Sequence, residues 1–205
     1  MRRKTMALGA VTGWSLALSG CVSLGVEVPD SLLTLSSEAT APAGVDAQMD
    51  ATNAASAIAI MTPEVPAKLD VLRVPVNVSQ TQIAYLEDAI WVDKPARLFR
   101  KVLGETLRAR DSNRPVLVLD TDDAPVLASV FIKGTLSELS YDASAREVIV
   151  RFDAFRSKGA RDVVTRRFEA RESVATPDAQ SVGPALNRAV NTVAGEVADW
   201  VIAGS

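Results

Sequence analysis

Histidine is absent from all 205 residues, which removes the Ser-His-Asp triad, the Cys-His pair and the ordinary His-ligated zinc and haem sites. Most hydrolase chemistry goes with it. Cysteine occurs once, at Cys21, so no disulfide framework can form within the chain. No glycine-rich loop ends in Lys-Ser or Lys-Thr, so a P-loop is missing and any ATP hydrolysis falls to another subunit. A basic excess is missing too. With Lys+Arg 22 against Asp+Glu 25 and a formal charge of −3, the chain lacks the cationic surplus on which nonspecific nucleic-acid binding depends. Asp120-Thr121-Asp122-Asp123 invites a calcium reading. An EF-hand loop begun there lacks its central glycine and has Phe131 where glutamate belongs, so a solvated turn is expected. The neighbouring carboxylates Glu87 and Asp88, and Asp153 with Asp162, carry no sign of glycosidase work. The expectation is a non-enzymatic protein with no catalytic residue, no metal and no bound cofactor.

What is present begins at the N-terminus. Arg2-Arg3-Lys4 is followed by an apolar run from Met6 to Leu18 and then by small Ser19 and Gly20 before Cys21, the layout of an export signal. The run falls short of the roughly 20 apolar residues a spanning helix needs, and Gly9, Thr12, Gly13 and Ser15 dilute it. Leu18-Ser19-Gly20-Cys21 resembles the bacterial lipobox. That resemblance implies cleavage before Cys21, with acyl and diacylglycerol groups on its amino group and thiol. Two or more such chains hold a protein on a bilayer almost permanently. Val22 stands where an Asp tends to retain lipoproteins in the inner membrane. By resemblance, the periplasmic face of the outer membrane is favoured, and the inner membrane stays open. Removal of residues 1–20 takes away three basic residues and no acidic one, moving the formal charge from −3 to −6 and leaving 185 residues. That length, at 48% apolar residues over the whole chain, suits one core and one domain on a tether.

The organisation expected is a signal peptide over 1–20, a lipidated tether over 21–30 and one domain over 31–205. Within it, 38–56 is so poor in large side chains that it reads as a mobile loop. Ser31–Ser36 alternates like a first strand, and Ala57–Met61 is short enough for a buried one. Leu72–Val76 reads as a strand that Pro75 confines to an edge or bulge, and Gln82–Leu86 as another. Leu98, Phe99, Val102, Leu103 and Leu107 predict a helix over 95–110, with Asp93 at its N-cap and Pro95 in its first turn. A short strand at Val116–Leu119 follows. The segment from Val126 to Tyr141 is extended, with a phase shift near Gly134 that predicts a bulge. A turn at Asp142–Ala145 leads to a strand over Val148–Ala154, and a turn at Ser157–Gly159 to one around Val164–Ala170. These three consecutive strands predict an antiparallel meander with one wet face. Thr176-Pro177-Asp178 opens a long helix whose stripe runs from Val182 through Leu186, Ala189, Val190, Val193 and Val197 to Trp200 and Val201.

The fold class expected is α+β: a mixed, largely antiparallel sheet with two long amphipathic helices packed on it. Arg97, Arg100 and Lys101 lie on the polar side of the first helix, with Arg108 and Arg110 further along. They could meet anionic lipid headgroups or an acidic partner, and the rival reading is an ordinary wet face. Trp200 reads as core. Trp91 stands between core and a partner or lipid contact, because it lies at an element boundary.

Leu72-Arg73-Val74-Pro75-Val76, then Tyr85 to Val92, then Pro95 and the Leu98-Phe99 helix resemble the ABC-type transport auxiliary lipoprotein family. The strand from Gly134 to Asp142, Arg166 to Ala170, and the closing helix from Ala185 to Trp200 are similar to it in order and spacing. The resemblance implies a lipoprotein partner of an ABC transporter whose MCE-domain (mammalian cell entry) and permease subunits move lipids across the periplasm. A homo-oligomer is compatible with it. An envelope-assembly or structural lipoprotein and a lipid-binding shuttle, neither tied to an ABC transporter, are the alternatives.

Overall fold

The structure is a computed structural model; it describes residues 31–44, 57–111, 116–118, 128, 130–158 and 162–204. Cys21, the tether, most of the expected 38–56 loop and Asp120–Asp123 lie outside the described residues. Among the described residues seven strands form one mixed sheet and two helices accompany it; the strands are β1 (Ile58–Ile60), β2 (Arg73–Asn77), β3 (Ile83–Ile90), β4 (Val116–Val118), β5 (Val130–Asp142), β6 (Glu147–Lys158) and β7 (Asp162–Ser173). The helices are α1 (Pro95–Arg110) and α2 (Ala179–Ala203), which makes the fold α+β as expected.

The expected meander is β5-β6-β7, antiparallel throughout. β5 is the spine of the sheet. One of its edges pairs with β6 along nearly its whole length, while the other takes β1, a bridge at Glu64↔Thr135 and β2 in turn, all parallel. Residues 57–77 thus run alongside a single strand, looping out through a 3-10 turn at Ala67–Leu69. β4 extends the sheet beside β1, and β3 forms the edge beyond β2. Pro75 sits at a register shift in the β2–β3 pair, where its missing N–H is harmless.

Val130, Ile132 and Leu136 share the buried face of β5, and Leu139 and Tyr141 continue it after the alternation slips by one residue. The bulge that allows this falls between Leu136 and Glu138, not at Gly134. Gly134 has a different task. A Cβ there would lie 2.3 Å from the Asp153 carbonyl oxygen and 2.7 Å from two ring atoms of Phe152, so the ring occupies the space of the missing side chain.

Both helices cover this face. α2 crosses β6, β7, β3 and β5 and packs against α1, which also touches β4. Asp178 caps α2, its carboxylate accepting the Ser181 N–H at 2.7 Å, a contact of the kind that contributes about 1 kcal/mol. Every apolar position of the expected stripe is buried except Trp200, which is partly so. α1 spans the expected 95–110, with Pro95 in its first turn. Its N-cap is Lys94, without a side-chain bond, and Asp93 instead accepts the Lys94 N–H at 2.7 Å.

The expected first strand at Ser31–Ser36 does not form. Leu33 makes one parallel bridge to Trp91, and the chain then turns onto α2. Asn187 Oδ1 accepts the Ser36 N–H at 2.8 Å, Asn191 Oδ1 accepts the Glu38 N–H at 2.8 Å, and Asn191 Nδ2 donates to the Ser36 carbonyl at 2.9 Å. Backbone groups that a neighbouring strand would have taken are satisfied by helix side chains. Further on, Ala41 N–H donates to Glu105 of α1 at 2.9 Å. The first residues of the expected mobile loop are therefore held as a strap across both helices.

Candidate functional site

The strap and α1 enclose a furrow. One part, of about 570 Å³, is walled by Thr34–Ser37 and Lys101, Glu105 and Arg108; the next, of about 580 Å³, by Thr34, Val92, Asp93, Arg97, Arg100 and Lys101. Thr34 and Lys101 belong to both. Three of the residues singled out in the sequence, Arg97, Arg100 and Lys101, therefore meet along one depression.

Their environments differ. Arg97 is exposed, with Asp93 at 3.6 Å. Lys101 is exposed and makes no ion pair among the described residues. Arg100 lies inside the furrow wall at 9% exposure and donates to the Thr62 hydroxyl at 2.7 Å. Of the other two cations on α1, Arg108 lies 3.6 Å from Glu105 and donates to the Val116 carbonyl at 3.2 Å, and Arg110 is paired with Asp199. The furrow thus offers cations on open ground rather than a dry, enclosed cavity of the sort that small-molecule sites use.

Trp91 is not on this surface. Its side chain is 1% exposed and belongs to the main core. Backbone bonds explain why: Trp91 N–H donates to Leu72 at 2.8 Å, while the flanking Val92 N–H and Ile90 carbonyl bond Leu33. Held on both sides, the residue can aim its ring only inward or outward, and the apolar face lies inward. Trp200 closes the other end of the core, edge-on to Phe168 at 5.6 Å, with the Arg156 guanidinium 5.1 Å over its ring.

A second polar cluster has no signal in the sequence, because its members lie far apart along the chain. Lys68, on the 3-10 turn, donates to both carboxylate oxygens of Glu138 at 2.7 and 2.8 Å. Ser140 Oγ donates to the same carboxylate at 2.7 Å, and Asn77 Nδ2 donates to Ser140 at 3.0 Å. A depression of about 420 Å³ lies beside it. Burial pushes the Glu138 carboxyl up, yet the hydrogen bonds from Lys68 and Ser140, the Lys68 charge and Asn77 outweigh it, and the group sits below its ordinary value. A carboxyl held ionised is a poor general acid, so the cluster works as a fastener between the Ala67–Leu69 turn, β2 and β5.

The sign of that shift sets a pH dependence. Because folding lowers the pKa of Glu138, the stabilisation is present above the unfolded value of about 4.3 and is lost as pH falls through the depressed folded value. Glu138→Gln is expected to cost about 1–3 kcal/mol at pH 7 by stranding Lys68. The gap between variant and wild type should then narrow in urea titrations at pH 3.5. Parallel losses at both pH values would refute this assignment.

Among the described residues no group of three or more His, Cys, Asp or Glu is placed to hold a metal ion, and no helix is long and apolar enough to cross a membrane. No curated protein matches the chain. Among solved structures, protein XCC0632 from Xanthomonas campestris is similar at TM-score 0.64 and 12% identity, covering 84% of this chain and 95% of its own. An uncharacterized protein is similar at TM-score 0.60 and 12% identity, with 71% and 91% covered. At such identity these likenesses establish a shared fold and nothing more. A family model matches residues 34–198, which takes in the strap, all seven strands, α1 and most of α2. The chain belongs to the ABC-type transport auxiliary lipoprotein components.

Proposed function

We propose that the protein is a lipid-anchored, periplasmic auxiliary component of an MCE-associated ABC transporter that moves lipids across the cell envelope, acting by docking rather than by catalysis. The observation that carries this reading is the family match over residues 34–198 in a chain whose Leu18-Ser19-Gly20-Cys21 motif resembles a lipobox. Acyl chains on Cys21 fix the domain to a membrane face, with Val22 favouring the outer membrane. The MCE-domain and permease subunits are the partners, and ATP hydrolysis is theirs or that of a separate ATPase. The exposed cations of α1 along the furrow are the first candidates for contact with the transporter or with lipid.

Purification of the tagged full-length protein from detergent-solubilised membranes tests the reading. Permease, ATPase and MCE-domain subunits are expected to accompany it in stoichiometric amounts. Recovery of the acylated protein with none of the three would overturn the transporter assignment. Cys21→Ala should move the protein from the membrane pellet to the soluble fraction, and an unchanged partition would overturn acylation at Cys21.

A further inference from the structure

The chain enters the described fold beside three exposed apolar side chains. Leu32 is 47% exposed, Leu72 44% and Val92 54%. Their backbones are neighbours, since Leu33 brackets Trp91 with two hydrogen bonds and Trp91 N–H bonds the Leu72 carbonyl. Exposed apolar residues at one place on a mature chain of formal charge −6 invite a partner. The same ground carries cations. Lys94 is paired with Asp70 at 2.6 Å, Arg97 lies 3.6 Å from Asp93, and Lys101 has no counter-charge among the described residues. Val92 shares a furrow wall with Arg97, Arg100 and Lys101, so apolar and cationic groups stand side by side.

Chain length decides what covers this ground. From Cys21 to Ser31 the backbone spans at most roughly 35 Å when fully extended. A domain of this size is about 40 Å across, from its expected radius of gyration. An anchor shorter than the domain is wide prevents the side opposite the entry point from resting on the bilayer. We propose that Leu32, Leu72 and Val92, with Lys94, Arg97 and Lys101, form the face that the domain lays against an anionic phospholipid bilayer. The apolar side chains enter the headgroup boundary and the cations meet lipid phosphates. This rests on the acylation of Cys21 proposed above and adds an orientation to it: the segment between β3 and α1 and the start of α1 point to the membrane, while β7, at the opposite edge of the sheet, points away.

The test uses the mature lipidated full chain in vesicles of phosphatidylcholine and phosphatidylglycerol at three to one. Because Cys21 is consumed by the anchor, Val92→Cys and, as a control at the far edge, Val163→Cys each supply a single thiol for a fluorophore. A bilayer-embedded quencher should dim the label at Val92 several-fold more than the label at Val163. Arg97→Glu with Lys101→Glu should lower that contact at least about tenfold, as should pure phosphatidylcholine. Equal quenching at both positions, or contact indifferent to charge reversal, overturns the proposal. Vesicle flotation separates the two layers of the inference. Protein that fails to float refutes acylation, whereas protein that floats with an unquenched label at Val92 refutes the orientation alone.

Discussion

Phe152→Ala is expected to lower stability by about 4 kcal/mol, within the range for truncating a buried Phe to Ala. In a domain of this length that corresponds to a fall in Tm of roughly 8–16 °C. Phe152 is 1% exposed and sits at the junction of every layer: its ring centroid lies 4.9 Å from that of Phe99 on α1, and its backbone pairs with Leu136 on β5 and Phe168 on β7. The site cannot collapse to fill the void, because the sheet below is fixed by ladder bonds and the helices above are fixed to each other. In urea, the midpoint should fall with the slope unchanged, the pattern of a loss confined to the folded state. A loss below about 1 kcal/mol would mean that the ring is dispensable and that α1 is not held through it.

Gly134→Ala and Gly134→Val make the sharper test, because propensity and packing predict opposite signs. A glycine inside a strand is ordinarily a defect that alanine repairs by about 0.5–1 kcal/mol, and valine is a better strand former still. Here the added carbon would meet the Asp153 carbonyl oxygen at 2.3 Å and the Phe152 ring at 2.7 Å. The ring can swing, but the carbonyl belongs to the β5–β6 ladder and cannot move without parting the strands. Destabilisation by about 1–3 kcal/mol for alanine, and more for valine, is therefore expected. Combining Gly134→Ala with Phe152→Leu should give back the portion due to the ring and not the portion due to the carbonyl, so the pair should be non-additive in a double-mutant cycle. A stabilised Gly134→Ala variant would show that β5 and β6 lie further apart at this point.

What periodicity can express was legible before any coordinates. The spacing of Leu98, Phe99, Val102, Leu103 and Leu107 set the span of α1, the stripe from Val182 to Val201 set the buried face of α2, and the alternation in β5, β6 and β7 set the meander. Each is a property of near neighbours in the chain. The misreadings have the opposite origin. Ser31–Ser36 alternates like a strand, but after Leu33 bonds Ile90 and Val92 the backbone of Ser36 is taken by side chains of Asn187 and Asn191, about 150 residues downstream. The phase shift in β5 falls near Gly134, and glycine in a strand often marks a bulge. The bulge lies just past Leu136, and the glycine answers to a ring on another strand. Trp91 could not be placed from its flanks, since the bonds that orient it come from Leu33 and Leu72. Of the candidate site, the cations of α1 were visible as a cluster. That Arg100 would turn into the wall follows from Thr62, just past β1, which accepts from its guanidinium, and that Leu32 and Val92 would stand beside the cations follows from Leu33 bonding the end of β3 and Val92.

A protein tied to a membrane is tugged from its tied end, and the strap determines where that tug is felt. Leu33 is gripped by Ile90 at the end of β3 and by Val92 just past it, and within a few residues the amides of Asn187 and Asn191 take hold of the backbone. Load entering at Ser31 is thus shared between the edge of the sheet and α2 before it can reach the meander.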